Sequence, residues 1–428
     1  MGIENFYKVI DKHCPDAVVD ATFDQLIGYR IAVDISVFLY KYIRSSGPVR
    51  WIDDFIMLLC TLKGHGIKSV CIFDGPNPPI EKLAEQEERR ESREKTIHKM
   101  NECKRIKKVI KEKYVDKDKE LDVAMKAEVK ALFATRQKKI DIVNYDDVHD
   151  VMDSLAIRIS KYERQTLPIT NEYKNKAKEL IAYMGIAQFQ ADGEAEALCS
   201  FLCVNGYVDA VLSEDTDVLA YGAPMLLSKI DLKTKTVRVL QLNYILDHLG
   251  LELDEFRDLC IMLRCDYNKN NPSIKGYPPD GKKRKKPVCI GQVAAWSMIS
   301  TFKTLERCEE HIEDISPLNY HRCRELFSIP EAPPIVGLEE GEEDETGQSL
   351  VPYSKPIDTA NLREFLERVK ASIKLEYIVK YWKPIDLVFG EDEVVESDGE
   401  SEHLNEEEYQ EELAELDEAL EEELEECE

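Results

Sequence analysis

The chain has 428 residues, 43% of them hydrophobic, and a formal net charge of −27. That length suffices for one large globular unit or two smaller ones. No apolar run reaches the roughly 18 residues of a membrane-spanning helix, and Met1 to Lys8 lacks a basic segment followed by an apolar run, so neither membrane insertion nor secretion is expected.

The charge is concentrated. Gly390 to Glu428 holds 21 acids and no Lys or Arg, and Glu339 to Glu345 holds six more. These two runs account for the whole net charge and leave a near-neutral body whose local basic patches can bind phosphate. The tail, 390–428, reads as solvated and disordered, with partial helix through Leu413, Leu416, Leu420 and Leu424. The twelve cysteines include no Cys-x-x-Cys pair, which fits reduced thiols in a cytosolic or nuclear protein and no zinc cluster.

In chain order, Tyr29 to Tyr40 reads as a strand running into a helix, with Ile31, Ala32 and Val33 leading to Asp34. Ile67 to Asp74 is a second apolar strand ending in a carboxylate. Ala210 to Leu212 is a third, followed by Ser213, Glu214, Asp215, Thr216 and Asp217. Strands alternating with helices predict an α/β fold with a central, mostly parallel sheet, and ligands of such sheets bind beyond the carboxyl ends of the strands. The N-terminal part of this core takes 1–80 and the internal part 171–240.

Between them, 81–170 is rich in Lys, Arg and Glu and almost free of Gly and Pro, so it reads as helices. Lys104, Lys107, Lys108 and Lys111 recur at i, i+3, i+4 and i+7. They form a solvated helix face or a phosphate-tracking stripe. Residues 241–328 are helical, interrupted by a basic loop with Pro278, Pro279, Gly281 and Lys282, Lys283, Arg284, Lys285 and Lys286. Composition leaves that loop open between DNA contact, nuclear import and plain solvation. An acidic and Pro-bearing linker covers 329–357, and helix returns over 358–389.

Seven acids stand out: Asp34, Asp74, Glu194, Glu196, Asp215, Asp217 and Asp266. One Asp at a strand end is usually a helix cap or a solvated turn. Several gathered at one sheet edge repel and cannot all stay ionised without cations. Oxygen ligands with few His or Cys partners select Mg²⁺, with Mn²⁺ able to substitute, and two such ions suit phosphodiester hydrolysis.

The segments IAVDISVFLY, IFDG, DGEAEALCSFLCVNGYVDAVLSEDTDVLAYGAP and LCIMLRCDYN, with Met1-Gly2-Ile3, resemble the flap-endonuclease and XPG family of structure-specific 5′ nucleases. The likeness covers most of Met1 to Ile299, and all seven acids have counterparts in the right order. It implies a PIN-like nuclease core, a helical arch over 81–170 and a C-terminal helix–two-turn–helix region. It implies that the seven acids hold two metal ions and that Lys82 and Arg89 contact the scissile phosphate. Tyr40 takes the place of an aromatic on which a base stacks, and Gly2 of a residue that lets the N-terminus approach DNA. Lys275, Gly276 and Gly291 fall in the motif that binds duplex backbone and a potassium ion.

The chain departs from the family in four ways. Its arch is longer. Its helix–two-turn–helix motif is split, with 277–289 inserted between Ile274-Lys275-Gly276 and Ile290-Gly291-Gln292. Cys265, not a small hydroxyl residue, precedes Asp266. No Gln-x-x-aliphatic-x-x-aromatic-aromatic peptide occurs, which argues against a sliding-clamp contact. The long arch and missing peptide fit a nuclease of a large DNA virus. The expected partner is branched or flapped DNA, RNA-primer-containing flaps included, at the nucleus or another site of DNA replication. A 5′→3′ exonuclease, a Holliday-junction resolvase, an RNA-degrading relative and a non-catalytic nucleic-acid scaffold are the alternatives.

Overall fold

A computed structural model describes residues 2–117, 119–133, 144–282, 285–329 and 355–382. The acidic tail, the linker over 330–354 and the basic pair Lys283 and Arg284 lie outside the described residues, so the expected tail disorder does too.

The first half alternates helix and strand: α1 (Phe6–His13), β1 (Val18–Thr22), β2 (Arg30–Asp34), α2 (Ile35–Gly64) and β3 (Lys68–Phe73). After the helical insertion come α6 (Asn171–Tyr183), β4 (Ala187–Gln190), α7 (Ala195–Val204), β5 (Ala210–Leu212), α8 (Asp217–Tyr221), β6 (Met225–Asp231) and β7 (Thr236–Gln241). The seven strands form one sheet in the order β1-β7-β6-β5-β2-β3-β4. β6, β5, β2, β3 and β4 run parallel, while β7 and β1 close one edge antiparallel.

The inner strands read as unbroken apolar runs because both their faces are covered. Val70, Cys71, Ile72 and Phe73 are all buried, as are Ile31, Ala32 and Val33. One face packs on α1, α7 and α8, together with α10 (Leu253–Leu263) and α11 (Gln292–Phe302). The other packs on α2 and α6, with Trp51, Phe55, Ile56, Leu180 and Ile181 at its centre. The C-terminal segment returns to that second face: α14 (Thr359–Val369) inserts Leu362, Phe365 and Leu366, and Asp53 accepts the backbone N–H groups of Ser372 and Ile373.

The insertion is a helical hairpin. Its helix α3 (Lys82–Lys113) contains no Gly or Pro and is laced by exposed pairs such as Glu102 with Arg105 at 2.7 Å. Cys103, Ile106 and Ile110 of α3 pack on Met125 and Val129 of α4 (Val123–Phe133) and on Val151, Leu155 and Ile159 of α5 (Val148–Gln165), a cluster separate from the sheet core. Ile106→Ala removes buried methyl groups worth about 2–5 kcal/mol. Because the cluster stands apart, we expect faster hydrogen exchange across α3, α4 and α5 with unchanged protection in β2, β3 and β5. An equal loss of protection in the sheet would contradict this separation.

Candidate metal and DNA site

The chain runs from β2 to β3 and β4 on one side and then crosses back through α7 to β5 on the other side of β2, which opens a crevice at the carboxyl ends of these strands. The acids lie around that crevice. Asp34 ends β2, Asp74 follows β3, Glu194 and Glu196 open α7, and Asp215 and Asp217 bridge β5 to α8. Asp266 arrives from the loop after α10. Six of the seven are buried, and Asp74 is partly buried.

Hydrogen bonds hold these acids in place, two of them between residues far apart in the chain. The Ser213 hydroxyl donates to Asp34 at 3.0 Å, the Ala195 N–H donates to Asp74 at 3.1 Å, and the Asp217 N–H donates to Asp215 at 3.0 Å. The Ser36 hydroxyl donates to Asp74. The Gly75 N–H donates to the Gly193 carbonyl at 2.7 Å, and a Cβ on Gly75 would collide with the carbonyls of Ala191 and Asp192. Gly75 thus lets the turn after β3 lie directly on the turn that carries Glu194.

The electrostatic centre is Lys82, the first residue of α3. Its ammonium lies 2.5 Å from Glu194, 2.7 Å from Glu196 and 3.3 Å from Asp266. Lys269 adds a second cation, 3.0 Å from Asp266. Burial alone would raise Asp266, yet these two ammonium groups hold its carboxyl below the usual range. For the other acids burial wins: it raises Glu194 and Glu196 even though the Lys82 charge lowers both. Burial, then the Asp74 charge, pushes Asp34 up to about 7. Burial and neighbouring carboxylates raise Asp217 and Glu196 well above ordinary values.

One oxygen of Asp34 and both carboxylate oxygens of Asp217 are buried with no hydrogen-bond partner. Buried carboxylate oxygens of that kind call for a cation, and the all-oxygen donor set fits Mg²⁺. Among the described residues, however, no three acids stand as a ready ligand set around one point. Lys82 lies between three of them, in space that a cation held by those carboxylates would share.

The remaining expected site residues divide into two groups. Gly2, at φ +88°, presses its bare α-carbon on the site, where a Cβ would collide with the Asp215 carboxylate, and the neighbouring Ile3 N–H donates to Thr216 at 2.9 Å. Arg89 is exposed two turns along α3, and its charge contributes to holding Asp266 down. Tyr40 on α2 is 37% exposed, with the Arg44 guanidinium 5.4 Å from its ring centre. The lysine stripe is not brought to the acids. Lys104 lies roughly 33 Å along α3 from Lys82, at 1.5 Å per residue, and pairs with Glu163 of α5 at 2.6 Å.

Lys275, Gly276 and Gly291 sit at the split motif, on the far side of α10 from the sheet in sequence. Its halves are rejoined by a hairpin in which β8 (Lys275–Gly276) pairs antiparallel with β9 (Val288–Cys289). The Ile290 N–H donates to the Ile274 carbonyl at 3.0 Å, so the insert leaves as a loop and the halves remain adjacent. Sequence reasoning missed Tyr267, whose hydroxyl donates to Glu194 at 2.6 Å and touches that of Tyr221, and Lys269, three residues past Asp266. Adjacency to Asp266 was the available signal. It also missed the tie between Glu81 and Arg322, 2.8 Å, which anchors the arch base to α13 (Tyr320–Leu326).

Comparison with known proteins agrees with this architecture. The XPG N-terminal domain matches residues 1–97 and the XPG I-region matches residues 185–266. Flap endonuclease 1 of Aedes aegypti is 30% identical over 378 residues, 82% of this chain and 81% of that protein. A probable RAD2-like endonuclease of Invertebrate iridescent virus 3 is 29% identical over 351 residues, 77% of this chain and 86% of that protein. Among solved structures, the catalytic core of Rad2 in complex with DNA substrate superposes with a TM-score of 0.54 at 16% identity, covering 89% of this chain and 98% of that one, which shows a shared fold. The fold is that of a nuclease core, and the chain belongs to the flap-endonuclease and XPG family.

A carboxyl whose folded pKa exceeds its unfolded value stabilises the fold at low pH and loses that contribution as pH rises through the folded value. For Asp34 this window runs from its ordinary 3.8 to about 7. In chelator, melting temperature should therefore fall by a few degrees from pH 6 to pH 8, and Mg²⁺ at pH 8 should restore it. A melting temperature independent of both pH and Mg²⁺ would contradict the stored repulsion.

Proposed function

We propose that this nuclease hydrolyses DNA phosphodiesters at 5′ flaps and similar branched junctions, using two Mg²⁺ ions, or Mn²⁺ in their place, held by the seven acids. The observation that carries this reading is the convergence of those buried carboxylates with Lys82 from the base of a helical arch. Bound there, divalent ions supply Lewis acidity and lower the pKa of the attacking water.

The chain's own residues do the rest. Asp34, Asp74, Glu194, Glu196, Asp215, Asp217 and Asp266 fix where cations sit. Lys82, at the base of the arch beside the acids, would pair with the scissile phosphate, with Arg89 beyond it. Charge stabilisation that strengthens as the transition state forms raises turnover. Gly2 allows close approach of the N-terminal segment, and Tyr40 offers a partly exposed ring beside the entry of α2 for stacking. Lys275, Gly276 and Gly291 present charge and bare backbone to the duplex behind the junction. DNA and RNA-primer flaps share the backbone chemistry that these groups recognise. Activity of this kind belongs at sites of DNA replication.

If the acids hold the ions, Asp215→Ala should lower single-turnover flap cleavage by at least about 10³-fold, the scale of several kcal/mol of lost metal assistance, while flap affinity changes little. Near-normal turnover of this variant in Mg²⁺ would sink the assignment. Cleavage of a flap, a nicked duplex and a four-way junction side by side separates the flap reading from an exonuclease or resolvase.

The distance of the lysine stripe from the acids gives it an earlier role, capture of the single strand. Replacing Lys104, Lys107, Lys108 and Lys111 by Gln keeps helix propensity and removes four charges. Flap binding should weaken and lose salt dependence, with the maximal single-turnover rate at saturating protein nearly unchanged. Unchanged affinity would leave the stripe as a solvated helix face, with Lys104 paired to α5.

A further inference from the structure

Arg264 follows α10 with φ +83° and ψ +108°, a region outside even the left-handed basin and rarely occupied by residues with a side chain. Such a conformation persists only where the surroundings over-determine it. Here the side chain supplies the constraint. One guanidinium nitrogen donates to the backbone carbonyls of both Lys269 and Asn271, and another donates to the Ser273 hydroxyl at 3.3 Å. The Arg264 carbonyl in turn accepts the Glu4 N–H at 2.9 Å. These contacts engage three of the five donors that a guanidinium carries.

The same arginine lines a cavity of about 300 Å³ together with Asn5, Ser273, Ile274, Ile290 and Gly291. Both halves of the split helix–two-turn–helix motif therefore open on a space that already holds a fixed positive charge. Family resemblance implies a potassium ion in this motif. Potassium takes backbone carbonyl and hydroxyl oxygens as ligands, and three such oxygens on this loop are held by the guanidinium instead. The residues present do not fit a free monovalent cation at that place.

We propose that Arg264 is the built-in cation of the split motif, so that this chain grips duplex DNA without a bound potassium ion. The inference rests on the reading that the motif holds duplex behind a junction. Arg264 is a positioning residue: it organises the loop 269–273 and lends charge to the motif's cavity, and it touches no reacting atom. The unusual φ is the conformation that lets its side chain fold back on its own loop.

The test is affinity for a 5′-flapped duplex, measured by fluorescence anisotropy in EDTA so that nothing is cut. Potassium chloride is compared with tetramethylammonium chloride at equal ionic strength. Wild-type affinity should agree within about two-fold between the salts. Arg264→Gly fits the backbone and removes the charge. It should bind about ten-fold more weakly in tetramethylammonium, the scale of one charge-assisted hydrogen bond, and potassium should restore most of the loss. Arg264→Lys, which keeps the charge, should respond less to potassium.

A wild-type protein that loses affinity when potassium is withdrawn would overturn the proposal whether or not the glycine variant folds. So would an Arg264→Gly protein that binds as tightly as wild type in tetramethylammonium. Absence of flap binding in both salts would instead sink the nuclease reading, and this proposal with it. Potassium-dependent wild-type binding would sink this proposal alone.

Discussion

Mutual repulsion of seven carboxylates at one sheet edge is the constraint on which the rest of the structure depends. Parallel strands place their carboxyl ends on one side, and the crossing from β4 back to β5, on the other side of β2, leaves room there, so the topology concentrates negative charge in a buried crevice. Burial removes the water that would otherwise screen it. One ammonium, Lys82, is shared among Glu194, Glu196 and Asp266, and burial with neighbouring charge holds Asp34, Asp217 and Glu196 above their ordinary carboxyl values.

That solution ties the arch to the site. Lys82 begins α3, and the preceding Glu81 pairs with Arg322 of α13, so the arch base is pinned between the acids and the C-terminal helices. The arch helices have an apolar cluster of their own, distinct from the two that flank the sheet.

Much of the core was legible because its strands are short, apolar and end in acids. IAVD, VCIFD and AVLSED announce buried parallel strands and the edge where their carboxylates gather. The outer strands were not legible. β4 is four partly exposed residues, and β6 and β7 mix polar with apolar residues at an antiparallel edge. The insert over 277–289 gave no sign that Lys275–Gly276 would pair with Val288–Cys289, nor that Gly276 must be bare because the His311 carbonyl lies 2.5 Å from where its Cβ would stand. Arg264 was invisible for a different reason: its positive φ contradicts local propensity and is held by contacts formed only in the folded loop. The lysine stripe has the spacing of a surface face, and helix geometry alone sets its distance from the acids.

The central claim is that the crevice exchanges the Lys82 ammonium for divalent cations. Anomalous diffraction from crystals soaked in Mn²⁺ tests it most directly. The account predicts two manganese peaks among Asp34, Asp74, Glu194, Glu196, Asp215, Asp217 and Asp266, with the Lys82 ammonium withdrawn from Glu194 and Glu196. A crevice that binds no manganese and keeps Lys82 between its carboxylates would contradict it.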